Sequence, residues 1–284
     1  MKGTELGFAK ILPFVVPLAL YAALLVLRSE TYVPLLSSWW SSHELSQGLI
    51  ILPISMILAI TQLGGWAIRP LAPSYLWLSV FVVANFLLVI ARLSNIQVAE
   101  YFFAVIAVVI VPLVLFGRIA SKESLFPYLF GALALPVWDP LNPVFQHISF
   151  IATRVIMGLT TIPHYVEGYS IELIDGTFVI DTGCSGLRYM ISAIVISLLY
   201  CHLYFRGWKA KVLSIVSLIA FALIGNWLRI FLIILIGHFT RMTSSIVHDH
   251  ATFGWVIFAC LLVCWFYMNR WFHSIDIPAP DVSK

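Results

Sequence analysis

Charge is what this sequence has least of. Only 10% of its 284 residues are Asp, Glu, Lys or Arg, where a soluble domain of that length carries about 25%. Hydrophobic residues make up 61% and the mean hydropathy is +1.00. The chain lacks the polar side chains needed to cover a soluble core, so an ordinary globular protein is excluded. An internal repeat, a low-complexity tract and a soluble appendage are also missing. Nothing points to a nucleic-acid partner or a cofactor. The net charge of +3 decides little, because in a membrane protein the distribution of Lys and Arg matters more than their sum. No small-residue cleavage site clearly follows the first apolar run, ILPFVVPLALYAALLVL, which is long enough to be kept as a span.

What is present is a series of apolar segments. A helix needs roughly 20 such residues to cross the hydrocarbon core. This predicts an all-α, polytopic helical bundle of about eight transmembrane helices, near 11–28, 48–63, 71–91, 97–117, 123–138, 184–205, 211–237 and 251–269. The whole chain, 1–284, reads as one transmembrane domain, with a polar tail at 273–284 expected to be disordered. Residues 139–183 differ. DPLNPVFQHISFIATRVIMGL reads as an amphipathic helix lying along the surface or partly re-entrant. IPHYVEGYSIELIDGTFVI alternates around Asp-Gly and predicts a short hairpin. With cytoplasmic termini, ten Lys and Arg fall on the inner side. Six fall outside: Arg28, Arg92, Arg154, Arg188, Arg229 and Arg241. The positive-inside rule favours that orientation, which makes 139–183 extracytoplasmic and the tail cytoplasmic.

The last three spans carry polar residues to one depth. Cys184 lies at the outer mouth of the sixth, in DTGCSGLRYM. Asn226 and Arg229 lie in the outer part of the seventh, three apart and so on one helix face. His248 and His250 begin the eighth. A thiol attacks as its thiolate, which a neighbouring cation favours. An imidazole moves protons near neutral pH, and a guanidinium can stabilise an oxyanion in a water-poor site. Gly183 and Gly186 are expected to let a substrate backbone approach the sulfur, and Arg188, one turn on, to add positive charge. An ionisable residue such as Arg229 inside a span is costly, and its default reading is functional. Cys201, Cys260 and Cys264 read as inert packing, and His43, His147, His164, His202, His238 and His273 as interfacial or structural. His248 and His250, two apart, point to different sides of a helix and form no zinc-type set, so no metal is expected. Outside the cytosol thiols tend to be paired, yet no second cysteine lies at the depth of Cys184, so its thiol should stay free.

Three motifs, CSGLR at 184–188, NWLR at 226–229 and HATFGW at 250–255, together resemble the exosortase/archaeosortase family of membrane-embedded cysteine transpeptidases. GLIILPIS, LALPVWDPLNP and VEGYSIELIDGTFVIDTGCSG are similar to family sequence too, so the resemblance spans nearly the whole chain. Gly183 stands where the family often has Ala, and Asp181 where Glu is common. The resemblance implies a cysteine peptidase of the inner membrane with its site facing the periplasm. Its substrates would be exported proteins bearing a C-terminal PEP-CTERM-type signal: a Pro-Glu-Pro motif, a transmembrane helix and a basic tail. It would cleave near the motif and transfer the new carboxyl end to an acceptor. Cys184 would be the nucleophile, Arg229 the oxyanion-stabilising residue and His250 the general acid/base. Gly183, Ser185, Gly186, Arg188 and Asn226 would support them, and Arg154 is a candidate to meet the acidic residue of the signal. Two other readings stay open: a hydrolytic intramembrane cysteine protease, and a non-catalytic transporter or polysaccharide-assembly component.

Overall fold

The computed structural model describes residues 16–41, 46–62, 72–117, 125–248, 250–274 and 276. His43, the basic residues Arg118 and Lys122, and the tail from 277 lie outside the described residues, as do the side chains of His248 and His250. The chain forms two compact units, Met1–Val137 and Trp138–Lys284.

In the first unit, α1 (Val16–Leu27) and α2 (Ser29–Ser41) are bent by 93° at Arg28. α3 (Gly48–Gln62) follows, then α4 (Tyr75–Leu93) and α5 (Gln97–Phe116), which pack along each other. Arg92, near the end of α4, pairs with Glu30 and lies 3.7 Å from Glu100. Thr31 donates to Glu100 at 2.5 Å and accepts from Arg92 at 3.3 Å. Ion pairing therefore compensates the charge of this arginine.

The fifth expected span, 123–138, does not appear as a crossing helix. α6 (Phe126–Gly131) has six residues, about 9 Å at 1.5 Å per residue. It decays into a 3-10 turn, Ala132–Ala134. Pro136 and Pro140 bring no amide hydrogen to continue it. Among the described residues, five helices are long and apolar enough to cross a membrane, or six if α1 and α2 count as one span. The expected count of eight is not confirmed among the described residues, where 48–63 yields only the 15-residue α3.

In the second unit, α7 (Asn142–Gly158) precedes a sheet, a 3-10 turn at Thr182–Cys184 and α8 (Leu187–Tyr204). Then come the 33-residue α9 (Trp208–Thr240), the short α10 (Ser245–His248) and α11 (His250–Phe272). α9 is the spine, packing against α7, α8, α10, α11 and the last strand. The expected hairpin is a three-stranded antiparallel sheet, β1 (Tyr165–Glu167), β2 (Ser170–Leu173) and β3 (Gly176–Val179), in that order. Residues alternate strictly along β3: Thr177 and Val179 are exposed, while Phe178 and Ile180 turn inward. Ile171 and Ile180 join Phe150 and Met157 of α7 and Ile230 and Ile234 of α9 in one buried cluster. The tip is pinned to α9 by His238 Nδ1, 2.6 Å from Asp175.

α7 is amphipathic as expected, and polar residues share its inner face with apolar ones. Val144, Ile148, Ile151 and Val155 are exposed, as are His147 and Arg154. Asn142, Ser149 and Thr153 are buried beside Phe150 and Met157, with Gln146 half-buried on the same stripe. Buried polar groups need bonding partners, and these find them inside the protein.

A polar clamp joins α9 to α11. Ser214 Oγ donates to Asn269 Oδ1 at 2.7 Å, and the fully buried Trp265 indole donates to the Ser214 carbonyl at 3.0 Å. Asn269→Ala removes one side of this clamp and should destabilise the protein by about 1 kcal/mol, the scale of interhelical hydrogen bonds in membranes. Thermal unfolding of the detergent-solubilised variant against wild type measures it.

Candidate active site

Cys184 ends the 3-10 turn that leads into α8, and Asp181 caps that turn. The Asp181 carboxylate accepts the Cys184 N–H at 3.1 Å, and its carbonyl accepts the same N–H at 3.0 Å. At Gly186 the backbone turns left-handed, with φ +82°. This separates the cysteine turn from α8, whose first residue is Leu187. Cys184 and Arg188 are therefore not successive turns of one helix. Arg188 is half-buried in the first turn of α8.

Gly186 is also buried, and a methyl group there would sit 2.7 Å from Asn226 Cγ. The missing side chain leaves room for Asn226 and allows the left-handed turn. Gly183 is exposed, and a methyl there would meet only the Asp181 carboxylate, at 3.2 Å.

Asn226 links the cysteine to the arginine. Its Nδ2 donates to the Cys184 carbonyl and to Ser149 Oγ, both at 3.0 Å, while its Oδ1 accepts from Arg229 Nη1 at 3.4 Å. Ser149 passes its own proton to the Ser185 carbonyl at 2.9 Å, and Ser185 Oγ donates to Asn142 Oδ1 at 2.7 Å. Gln146 Nε2 donates to the Ile180 carbonyl at 2.7 Å, just before the cysteine turn. The inward stripe of α7 thus holds the loop that presents Cys184.

Arg229 is 3% exposed. Its guanidinium carbon lies 5.8 Å from the centre of the Tyr189 ring on α8, a distance at which the ring face attracts a cation. Gly254 of α11 closes the same contact. A methyl there would collide with the Tyr189 hydroxyl and come within 2.8 Å of Arg229 Nε. So α8, α9 and α11 meet at the guanidinium. His250 opens α11 one turn before Gly254, and its side chain lies outside the described residues.

The thiol borders a cleft of about 270 Å³, lined by Thr177 to Asp181 and by Ile230, Ile233 and Ile234 of α9. Met242 and Val247 complete it. All four cysteines are free. Cys201 is buried, whereas Cys260 and Cys264 are exposed on α11 rather than packed inside. Arg154 is exposed on α7.

The family model described as transmembrane exosortase matches residues 39–267. The chain belongs to that family. It is a multi-pass membrane protein, and the matched region contains all three motifs. No curated protein and no solved structure matches the chain.

Measured against this site, Cys184, Ser185, Gly186, Asn226 and Arg229 form one bonded assembly around the cysteine turn. Four participants went unrecognised in the sequence: Asn142, Ser149, Asp181 and Tyr189. The first two are seven apart in the polar stripe of α7, a visible period whose partners are not. Tyr189 looked like any aromatic residue in a span.

The left-handed turn gives a prediction. Gly186→Ala imposes both the φ penalty and the clash with Asn226, and should cost about 1–3 kcal/mol. Gly158→Ala, where a methyl meets nothing within 4 Å, should be close to neutral. Thermal unfolding of the two variants, with the alkylation rate of Cys184 as a local reporter, checks it.

Proposed function

We propose that this exosortase is a cysteine transpeptidase of the bacterial inner membrane, with its site facing the periplasm. It cleaves the C-terminal PEP-CTERM-type sorting signal of exported proteins and transfers them to an acceptor. The substrate's own transmembrane helix docks in the bilayer beside the enzyme and brings the scissile bond level with Cys184. The Cys184 thiol gives its proton to His250, and Sγ attacks the scissile carbonyl carbon. Arg229 stabilises the oxygen that becomes negative. The C–N bond breaks, the departing amine takes the proton back from His250, and the exported protein is held as a thioester. An acceptor nucleophile then gives its proton to His250, attacks the thioester and frees the thiol.

One observation supports this reading above the others. A single amide, Asn226, bonds the Cys184 carbonyl and the Arg229 guanidinium at once, so that nucleophile and cation belong to one rigid assembly. A transporter that used Arg229 to bind an anion would not need the thiol held in this way. His250 comes into the scheme by its motif and by its position, four residues before a glycine that touches Arg229.

Cys184→Ala and Cys184→Ser should leave precursors uncleaved in cells although the variant protein accumulates normally. Arg229→Gln should slow processing by about 10²–10³-fold, the scale for losing one oxyanion donor. Normal processing by Cys184→Ala would remove the nucleophile assignment. Mass spectrometry of the mature C-terminus separates the two chemistries: added mass indicates transfer, and a free carboxylate indicates hydrolysis.

A further inference from the structure

The cleft beside Cys184 has an unusual wall. Five consecutive residues, Thr177 to Asp181, line it. These are β3 and its continuation toward the cysteine turn, and β3 is the outer strand of the sheet. The register pairs Ile171 with Phe178 and Ser170 with Val179, and the Ile180 N–H bonds the Tyr169 carbonyl at 2.9 Å. In an antiparallel ladder the bonded pairs alternate with unbonded ones. Phe178 and Ile180 therefore spend their backbone groups on β2, and the N–H and C=O of Thr177 and Val179 point the other way. Among the described residues no backbone or side-chain group bonds to Thr177 or Val179 on that side.

Exposed strand edges are normally blunted by Lys, Pro, a bulge or a covering element. Residues 176–181, GTFVID, contain no Lys or Pro, and the ladder runs through β3 without a bulge. The edge instead adjoins an apolar floor made by Ile230, Ile233 and Ile234, with Met242 and Val247 beside them. Met242 is held there by the backbone: Arg241 and Met242 are successive non-glycine residues with φ of 48° and 64°. Two such residues in a row are costly and persist where the surroundings demand them. Gly176 leaves room for Met242, whose Cγ would lie 3.0 Å from a methyl at that position.

We infer that this edge binds the substrate as an added β-strand: an extended peptide segment pairs with Thr177 and Val179 and leads its scissile bond to Cys184. This rests on the catalytic reading and extends it to how the substrate is held. The occupant is a peptide because only an extended backbone offers donors and acceptors repeating every two residues, about 6.8 Å. It is the substrate because Cys184 lines the same cleft. Recognition of this kind takes affinity from the backbone and selectivity from alternate side chains. Here those side chains meet the isoleucine floor, so apolar residues are favoured at alternate positions of the segment.

The test separates binding from chemistry. A fluorescent peptide of about ten residues with a central Pro-Glu-Pro is titrated against the full chain carrying Cys184→Ala in lipid nanodiscs. N-methylation is then scanned across its non-proline positions. Loss of affinity of tenfold or more at alternating positions is expected. A flat scan, a contiguous block of sensitive positions, or a peptide that does not bind overturns the strand pairing, even where full precursors are processed normally. On the protein side, Val179→Pro removes one edge N–H without touching the ladder to β2, and should weaken binding about tenfold. Val179→Thr, which keeps the amide, should recover most of it. Equal binding by Val179→Pro and wild type overturns the inference. Should the alternating pattern hold while the enzyme with Cys184 intact forms no thioester, the strand pairing stands and the catalytic reading fails.

Discussion

The side chain of Asn226 is the constraint on which the site depends. It sits at 2% exposure and makes three bonds, to the Cys184 carbonyl, to Ser149 and to Arg229. A buried amide in an apolar surround is costly unless its groups are satisfied, and here the partners are the elements that must be aligned. Through the carbonyl it fixes the cysteine turn, through Ser149 it fixes α7, and through its oxygen it orients a guanidinium. Gly186 follows from it, because any side chain there would occupy the space of the amide. So does the unwinding between Cys184 and Leu187, which turns the Cys184 carbonyl toward α9 instead of along a helix.

Around Arg229 the same logic continues with weaker contacts. Tyr189 offers its ring face, and Gly254 offers the absence of a side chain. A cation surrounded by apolar helices is held by whatever polar and π groups can reach it. Two of the helices that supply those groups, α9 and α11, are clamped at a second level by Ser214, Trp265 and Asn269. The bundle is thus tied at two depths by polar residues, with close-packed apolar side chains between them.

The site was more legible in the sequence than the fold. Cys184, Asn226 and Arg229 stand out because polar residues are rare in apolar runs, and their depth can be counted along a helix. Gly254 was visible as part of a motif, but its reason, the approach of Arg229 and Tyr189, needs three dimensions. The spacing of Arg188 from Cys184 suggested one continuous helix, and the left-handed Gly186 that interrupts it is silent in a hydropathy pattern. The span count is not confirmed where length was marginal: apolar content does not say whether a segment crosses, and the prolines after Phe126 weighed more than the leucines. The stripe of α7 was periodic and plain, but what it bonds to was not. The third strand was hidden by length, since Tyr165–Glu167 is too short to alternate convincingly.

α9 has one more consequence. Its 33 residues extend about 50 Å, against a hydrocarbon layer of about 30 Å. Tilt absorbs only part of that surplus, so the helix continues past the lipid tails into the headgroup zone. The far end carries Ile230, Ile233 and Ile234 beside the sheet, anchored by His238 and Asp175. The sheet is thereby fastened to the last turns of a helix too long for the lipid layer alone.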